Sequence, residues 1–221
     1  MSGLRECLTL RRIIAYLAGL MILSFGIAAS VRSDLGSAPV SSVPYMFSLI
    51  SHVNMGIMMI IWQAFLVLLQ FLILRREFRA FALLQLVTGF VFGYFNSFAL
   101  WVLSFFPAPT SIVMRLFCSS CGFWVGGFGV WLYSTADVIN MPSEGIVMVI
   151  AKKLGKPFHV IKRFYDITSV IIAGVGCWIG IGTLDSVGFG TVMIAVMVGT
   201  MVGIYERSMG KRLRSWLRLE K

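Results

Sequence analysis

Charge is scarce in this chain. Only 13% of its residues are Asp, Glu, Lys or Arg, against 58% hydrophobic. That balance excludes an ordinary soluble domain, in which about a quarter of residues are charged. Acids are scarcer still, nine in all, and histidine occurs twice. Two histidines cannot build a His-rich metal cluster, and neither His52 nor His159 pairs with a recognisable nucleophile. Four cysteines are too few for a disulfide scaffold. Cys118 and Cys121 form a C-x-x-C, but within an apolar run and without partner histidines, which argues against zinc or redox chemistry. Cys7 and Cys177 are isolated. The chain has no phosphate-binding Gly-rich loop, catalytic triad or metal-ligand motif, so enzyme activity, a cofactor and a metal site are not expected.

Long apolar sequence is what the chain does have. Six runs stand out: roughly Ile13 to Ser30, Met55 to Leu74, Ala80 to Phe106, Ile112 to Tyr133, Phe158 to Gly180 and Gly188 to Tyr205. Each is close to the roughly 20 residues that cross a bilayer core of about 30 Å. The runs are continuous rather than alternating, which excludes an outer-membrane barrel. Helices satisfy their own backbone hydrogen bonds in lipid, so the expectation is an all-α, polytopic protein forming one membrane domain over 1–221. The first run follows Arg5, Arg11 and Arg12 but is long and lacks a clear small-residue cleavage site, so it should stay as a helix.

The net charge of +10 has a topological reading. Arg75, Arg76 and Arg79 fall between spans two and three; Lys152, Lys153 and Lys156, with Lys162 and Arg163 just beyond, fall between spans four and five. Arg207, Lys211, Arg212, Arg214, Arg218 and Lys221 close the chain. In a six-span arrangement these share one side with the N-terminal arginines, leaving only Arg32 and Arg115 elsewhere. The pattern predicts cytoplasmic termini and contact with anionic lipid headgroups, not nucleic acid. Within the tail, 206–221, Met209, Leu213, Trp216 and Leu217 recur at helical spacing among basic residues and predict an amphipathic helix on the cytoplasmic face.

The first half also repeats weakly in the second. Phe25, Gly26, Asp34 and Pro39 fall on Phe128, Gly129, Asp137 and Pro142 at one constant offset. Further along, Gly89 and Gly93 correspond to Gly199 and Gly203, pairs spaced for close helix contact. Repeat one covers about 13–106 and repeat two about 112–205. Three spans per repeat is an odd number, so the second copy would be inverted relative to the first.

Each repeat is broken after its first span by a helix-start signal. Ser37 is placed to cap before Pro39, and Asn140 before Pro142, with Glu144 adding a first-turn acid. The stretches that follow, Val40 to Ile50 and Ile146 to Leu154, are apolar but too short to span. Two readings stand: re-entrant half-helices whose N-termini meet near the midplane, or short interfacial helices after ordinary turns. Asp34, Asp137 and Glu144 are correspondingly either coupling and substrate-binding carboxylates or rim residues and caps. Asp166, matched to Gln63, lies inside the membrane with Arg163 if span five begins at Phe158, and at the rim if it begins nearer Phe164.

The D-L-G-S-A-P break (Asp34 to Pro39) and the N-M-P-S-E-G break (Asn140 to Gly145) resemble the YczE/YyaS/YitT group of bacterial integral membrane proteins. That group often carries a Gly-Pro-Arg-Asp-Gly type sequence at the second break; Met141 to Gly145 keep the Pro, an acid and the Gly but lose the Arg. Arg163 with Asp166, and Gly190-Thr191, are similar to motifs opening the next two spans. The resemblance implies a multi-pass protein of the bacterial plasma membrane.

Together these observations predict a secondary transporter or permease for a small molecule or ion. Its site would lie at Asp34, Pro39, Asp137, Pro142 and Glu144, with Arg163 and Asp166 behind them. The alternatives are a substrate-binding membrane subunit of an ATP-driven importer, or a non-transporting membrane scaffold or accessory factor. A homo-oligomer is left open.

Overall fold

The computed structural model describes residues 9–75, 78 and 80–217. Arg5, Cys7, Arg76, Arg79, Arg218 and Lys221 lie outside the described residues. Among the latter there are eight α-helices: α1 (Leu10–Arg32), α2 (Pro39–Ser51), α3 (Met55–Leu74), α4 (Leu84–Ser104), α5 (Ile112–Ala136), α6 (Pro142–Leu154), α7 (Phe158–Ile181) and α8 (Phe189–Leu217). A 3₁₀ turn, Ala80–Leu83, leads into α4. Six helices are long and apolar enough to cross a membrane. Large apolar side chains such as Phe65, Leu72, Phe90, Phe117 and Ile171 point outward, as lipid-facing surfaces require. The tail forms no separate helix: α8 runs unbroken to Leu217, and Arg11 Nη1 donates to the Trp216 carbonyl at 3.2 Å.

The most extensive contact is between α1 and α5. Glycine makes it possible. A Cβ on Gly26 would lie 2.5 Å from the Gly126 backbone, and one on Gly129 would lie 2.7 Å from the Gly19 carbonyl oxygen. The two backbones therefore touch, the usual solution where lipid tails compete with side chains for apolar contact. Flanking helices are then tied on by polar groups: Asn96 Nδ2 of α4 donates to Ser24 Oγ of α1 at 3.2 Å, and Trp131 Nε1 of α5 donates to Glu206 of α8 at 2.9 Å.

The short helices cross between the halves. α2 lies on α7, with Met46 against Gly176 and Ile50 against Gly180. Pro39 shares a cavity wall with Asp166 and Val170, so α2 begins beside the middle of α7 and runs with it to its end. α6 lies on α3 in the same way. Pro142 begins beside Gln63, Ile146 and Val147 pack with Leu66, and Lys153 Nζ reaches the Ile73 carbonyl at 3.4 Å. Since α7 starts directly after α6 ends, α3 and α7 run oppositely, and so do the two half-helices. Each has 13 residues, about 20 Å, which fits half a bilayer from mid-level outward.

Two capping expectations need correction. Ala38 and Met141, not Ser37 and Asn140, occupy the N-cap positions, and no side chain caps either half-helix. Proline takes the first helical position in each, which places the polar residue one step too early. The Ser37 N–H instead donates to the Ser186 carbonyl at 3.2 Å, and Asn140 Nδ2 reaches the Met148 sulfur at 3.2 Å.

The α1–α5 seam gives a clean test. A methyl group added at Gly126 would meet only ordinary contacts, at 3.8 Å. Gly26→Ala should lower the thermal midpoint in detergent, costing about 1–3 kcal/mol of overpacking. Gly126→Ala should leave it unchanged or raise it. Equal behaviour of the two variants would show that the seam is not packed this way.

Candidate functional site

The α6 start brings together groups from five helices. Glu144, in the first turn, accepts a hydrogen bond from Tyr133 Oη of α5 at 2.5 Å. The Tyr133 ring stands edge-on to Tyr16 of α1, with centroids 6.2 Å apart, and Tyr16 Oη donates to Thr88 Oγ1 of α4 at 3.3 Å. Gln70 Nε2 of α3 donates to Gln85 Oε1 at 2.9 Å and to the Pro142 carbonyl at 3.2 Å. A Cβ at Gly145 would come within 2.6 Å of Gln85 Oε1, so a larger residue there would make the paired glutamines shift. Gln63, 1% exposed beside Pro142, has no hydrogen-bond partner on either side-chain atom among the described residues.

The α2 start faces a different set. Pro39 borders a cavity of about 560 Å³ between α7 and α8, lined also by His159, Lys162, Arg163, Asp166 and Thr191. Lys162 and Asp166 form an ion pair one helical turn apart. Span five begins at Phe158, so Asp166 lies inside the helix at the level of the half-helix start.

Asp34 and Asp137 sit elsewhere. The Asp34 side chain is 59% exposed and pairs with Arg115 at 3.0 Å. Asp137 is exposed at the end of α5. Both are in the left-handed region, at φ 57° and 47°, where a short polar side chain is among the few that fit. Their match across the repeat thus follows from a shared backbone turn. The predicted residues divide into Pro142 with Glu144 on one side and Pro39 with Arg163 and Asp166 on the other. Tyr16, Gln63, Gln70, Gln85, Thr88 and Tyr133 were missed. The available signal was amides and hydroxyls buried within apolar spans, which need partners in lipid. Among the described residues no group of three His, Cys, Asp or Glu could hold a metal.

Tyr133 Oη is the hydrogen-bond donor to the Glu144 carboxyl. Tyr133→Phe should therefore lower the thermal midpoint in detergent, by about 1–3 kcal/mol for a buried acceptor left unpaired. On a Glu144→Leu background the same substitution should cost much less. Equal costs in the two backgrounds would refute the assignment.

Comparison with known proteins agrees with this architecture. The chain is 30% identical over 190 residues to the uncharacterized membrane protein YczE of Bacillus subtilis (strain 168), covering 85% of this chain and 81% of that one. It is 24% identical to the uncharacterized protein YyaS of the same organism, covering 83% and 90%. An uncharacterized protein of Haemophilus influenzae is also 24% identical, covering 86% and 80%. No solved structure matches. The model of a family of unknown function, DUF6198, matches residues 10–207. With six apolar helices, glycine-seamed and threaded by two half-helices, this membrane protein belongs to the DUF6198 family.

Proposed function

We propose that this protein is a secondary transporter or permease of a small solute in the bacterial plasma membrane, with both termini cytoplasmic and the two halves related as inverted repeats. The observation that carries this reading is the pair of half-helices, each starting beside the middle of a long helix of the other half and running outward in opposite directions. Helices interrupted at mid-depth, with backbone N–H groups and ionisable side chains at the break, are the recurring material of transporter sites. The exchange of α2 onto α7 and α6 onto α3 supports inverted repeats, since each half supplies the other with the same piece. Charges support the setting: Glu144, Lys162 and Asp166 are expensive at membrane depth, and a solute or coupling ion gives them work.

Single cysteines at Ala38 and Ser143, in a cysteine-free background, test the reading. Both residues are buried next to the half-helix starts. A membrane-impermeant thiol reagent applied to right-side-out and inverted vesicles should reach each of them from both sides. His52→Cys, at the far end of α2, should react from one side only. Labelling of Ala38→Cys and Ser143→Cys from one side alone, or not at all, would refute transport through this site.

A further inference from the structure

Matched helices of the two halves differ in one contact. α3 packs closely on α4, with Gly89 against Gln63 and Gly93 against Ile60. Ser97 Oγ closes the far end by donating to Asn54 Oδ1 at 2.6 Å. Their counterparts α7 and α8 are consecutive in the chain yet barely touch. Gly199 and Gly203, which match Gly89 and Gly93, have nothing among the described residues within 4 Å of a Cβ position. The separation leaves the cavity of about 560 Å³ described above.

Its chemistry follows from the residues that replace the closed contact. Gly56, Ile60 and Gln63 of α3 correspond to His159, Arg163 and Asp166 of α7, and all three of the latter line the cavity. Lys162 and Asp166 neutralise each other. Arg163 is exposed and makes no hydrogen bond or ion pair among the described residues, so the cavity carries one uncompensated positive charge. The uncapped start of α2 enters the same space at Pro39, adding the positive end of a helix. The remaining walls are aliphatic, including Ile167, Val170 and Val192.

We propose that this cleft binds a small monoanion with an apolar body, such as a short-chain carboxylate, and that binding lets α7 close on α8 as α3 closes on α4. A single negative charge pairs Arg163 and removes the cost of taking its charge out of water, while the apolar body fills the aliphatic walls. The inference names a ligand class for the site proposed above and rests on that reading.

Spin labels at Phe164→Cys of α7 and Arg207→Cys of α8, on otherwise cysteine-free protein in nanodiscs, read the α7–α8 distance. Hexanoate is the soluble probe, added in phosphatidylcholine; phosphatidylglycerol in place of phosphatidylcholine is the lipid probe. Closure should bring the helices to an interaxial distance of about 8–10 Å. Shortening with hexanoate supports the cleft with a free organic anion as ligand. Shortening with phosphatidylglycerol alone supports it with a lipid headgroup as the source. In either case Arg163→Lys should retain the open ligand-free distance and the shortening, whereas Arg163→Gln, with no charge left to neutralise, should be short without ligand and unmoved by either probe. No shortening with either probe overturns the proposal from the parent protein alone, as does shortening that survives Arg163→Gln. A failure here with two-sided labelling intact at Ala38 and Ser143 would remove the anion cleft and leave the transport reading standing.

Discussion

The backbone contact between α1 and α5 is the constraint from which the rest of the arrangement follows. Lipid tails are as apolar as leucine, so two helices gain by meeting only where their packing is closer than lipid packing. Gly19 and Gly26 on one side, and Gly122 and Gly129 on the other, let main-chain atoms meet directly. Once α1 and α5 are fixed, their short connections commit α2 and α6 to fold back into the bundle. Each half-helix packs on a long helix of both halves: α2 on α7 and on α3, α6 on α3 and on α7.

That crossing creates the electrostatic problem the site resolves. A helix beginning at mid-level exposes unpaired N–H groups and about half a positive charge where water is scarce. Proline at the first position removes one of those donors in each half-helix. In α6 the remainder is met by a carboxyl group in the first turn, held by Tyr133. In α2 no acid lies in the first turn, and the start opens toward Asp166, Lys162 and Arg163. The two starts share their backbone design and differ in the charge set against it.

How much of this was readable from sequence depends on which force decides each feature. Spans were legible because lipid forces continuous apolar runs into helices, and Phe158 as the start of α7 puts Asp166 within that helix rather than at its first turn. The half-helices were legible from Pro39 and Pro142, since a proline tolerated at a helix start is a local property. Capping by Ser37 and Asn140 was misread because it depends on the residue next to the proline. Asp34 and Asp137 looked like a paired site, yet the shared feature is a left-handed turn. The Tyr16, Tyr133 and Glu144 cluster joins three elements far apart in the chain, and no local pattern records the angle at which α1, α5 and α6 meet.

The pairing of Gln63 with Asp166 shows why two similar halves need not pack alike. Gln63 is buried in the contact between α3 and α4 with neither polar atom hydrogen-bonded among the described residues, a cost a neutral amide can bear. A carboxylate at the matching place, beside the guanidinium of Arg163, would face a far larger desolvation penalty in the same contact. With two identical halves, closing α3 on α4 and closing α7 on α8 would be equally favourable. On the proposal above, charges on α7 break that symmetry by opposing closure of α7 on α8, while the neutral side chains of α3 allow its contact with α4 to close. On the proposed exchange, the sequence difference between the halves sets the resting state, and a ligand that neutralises the charge on α7 is what can reverse it.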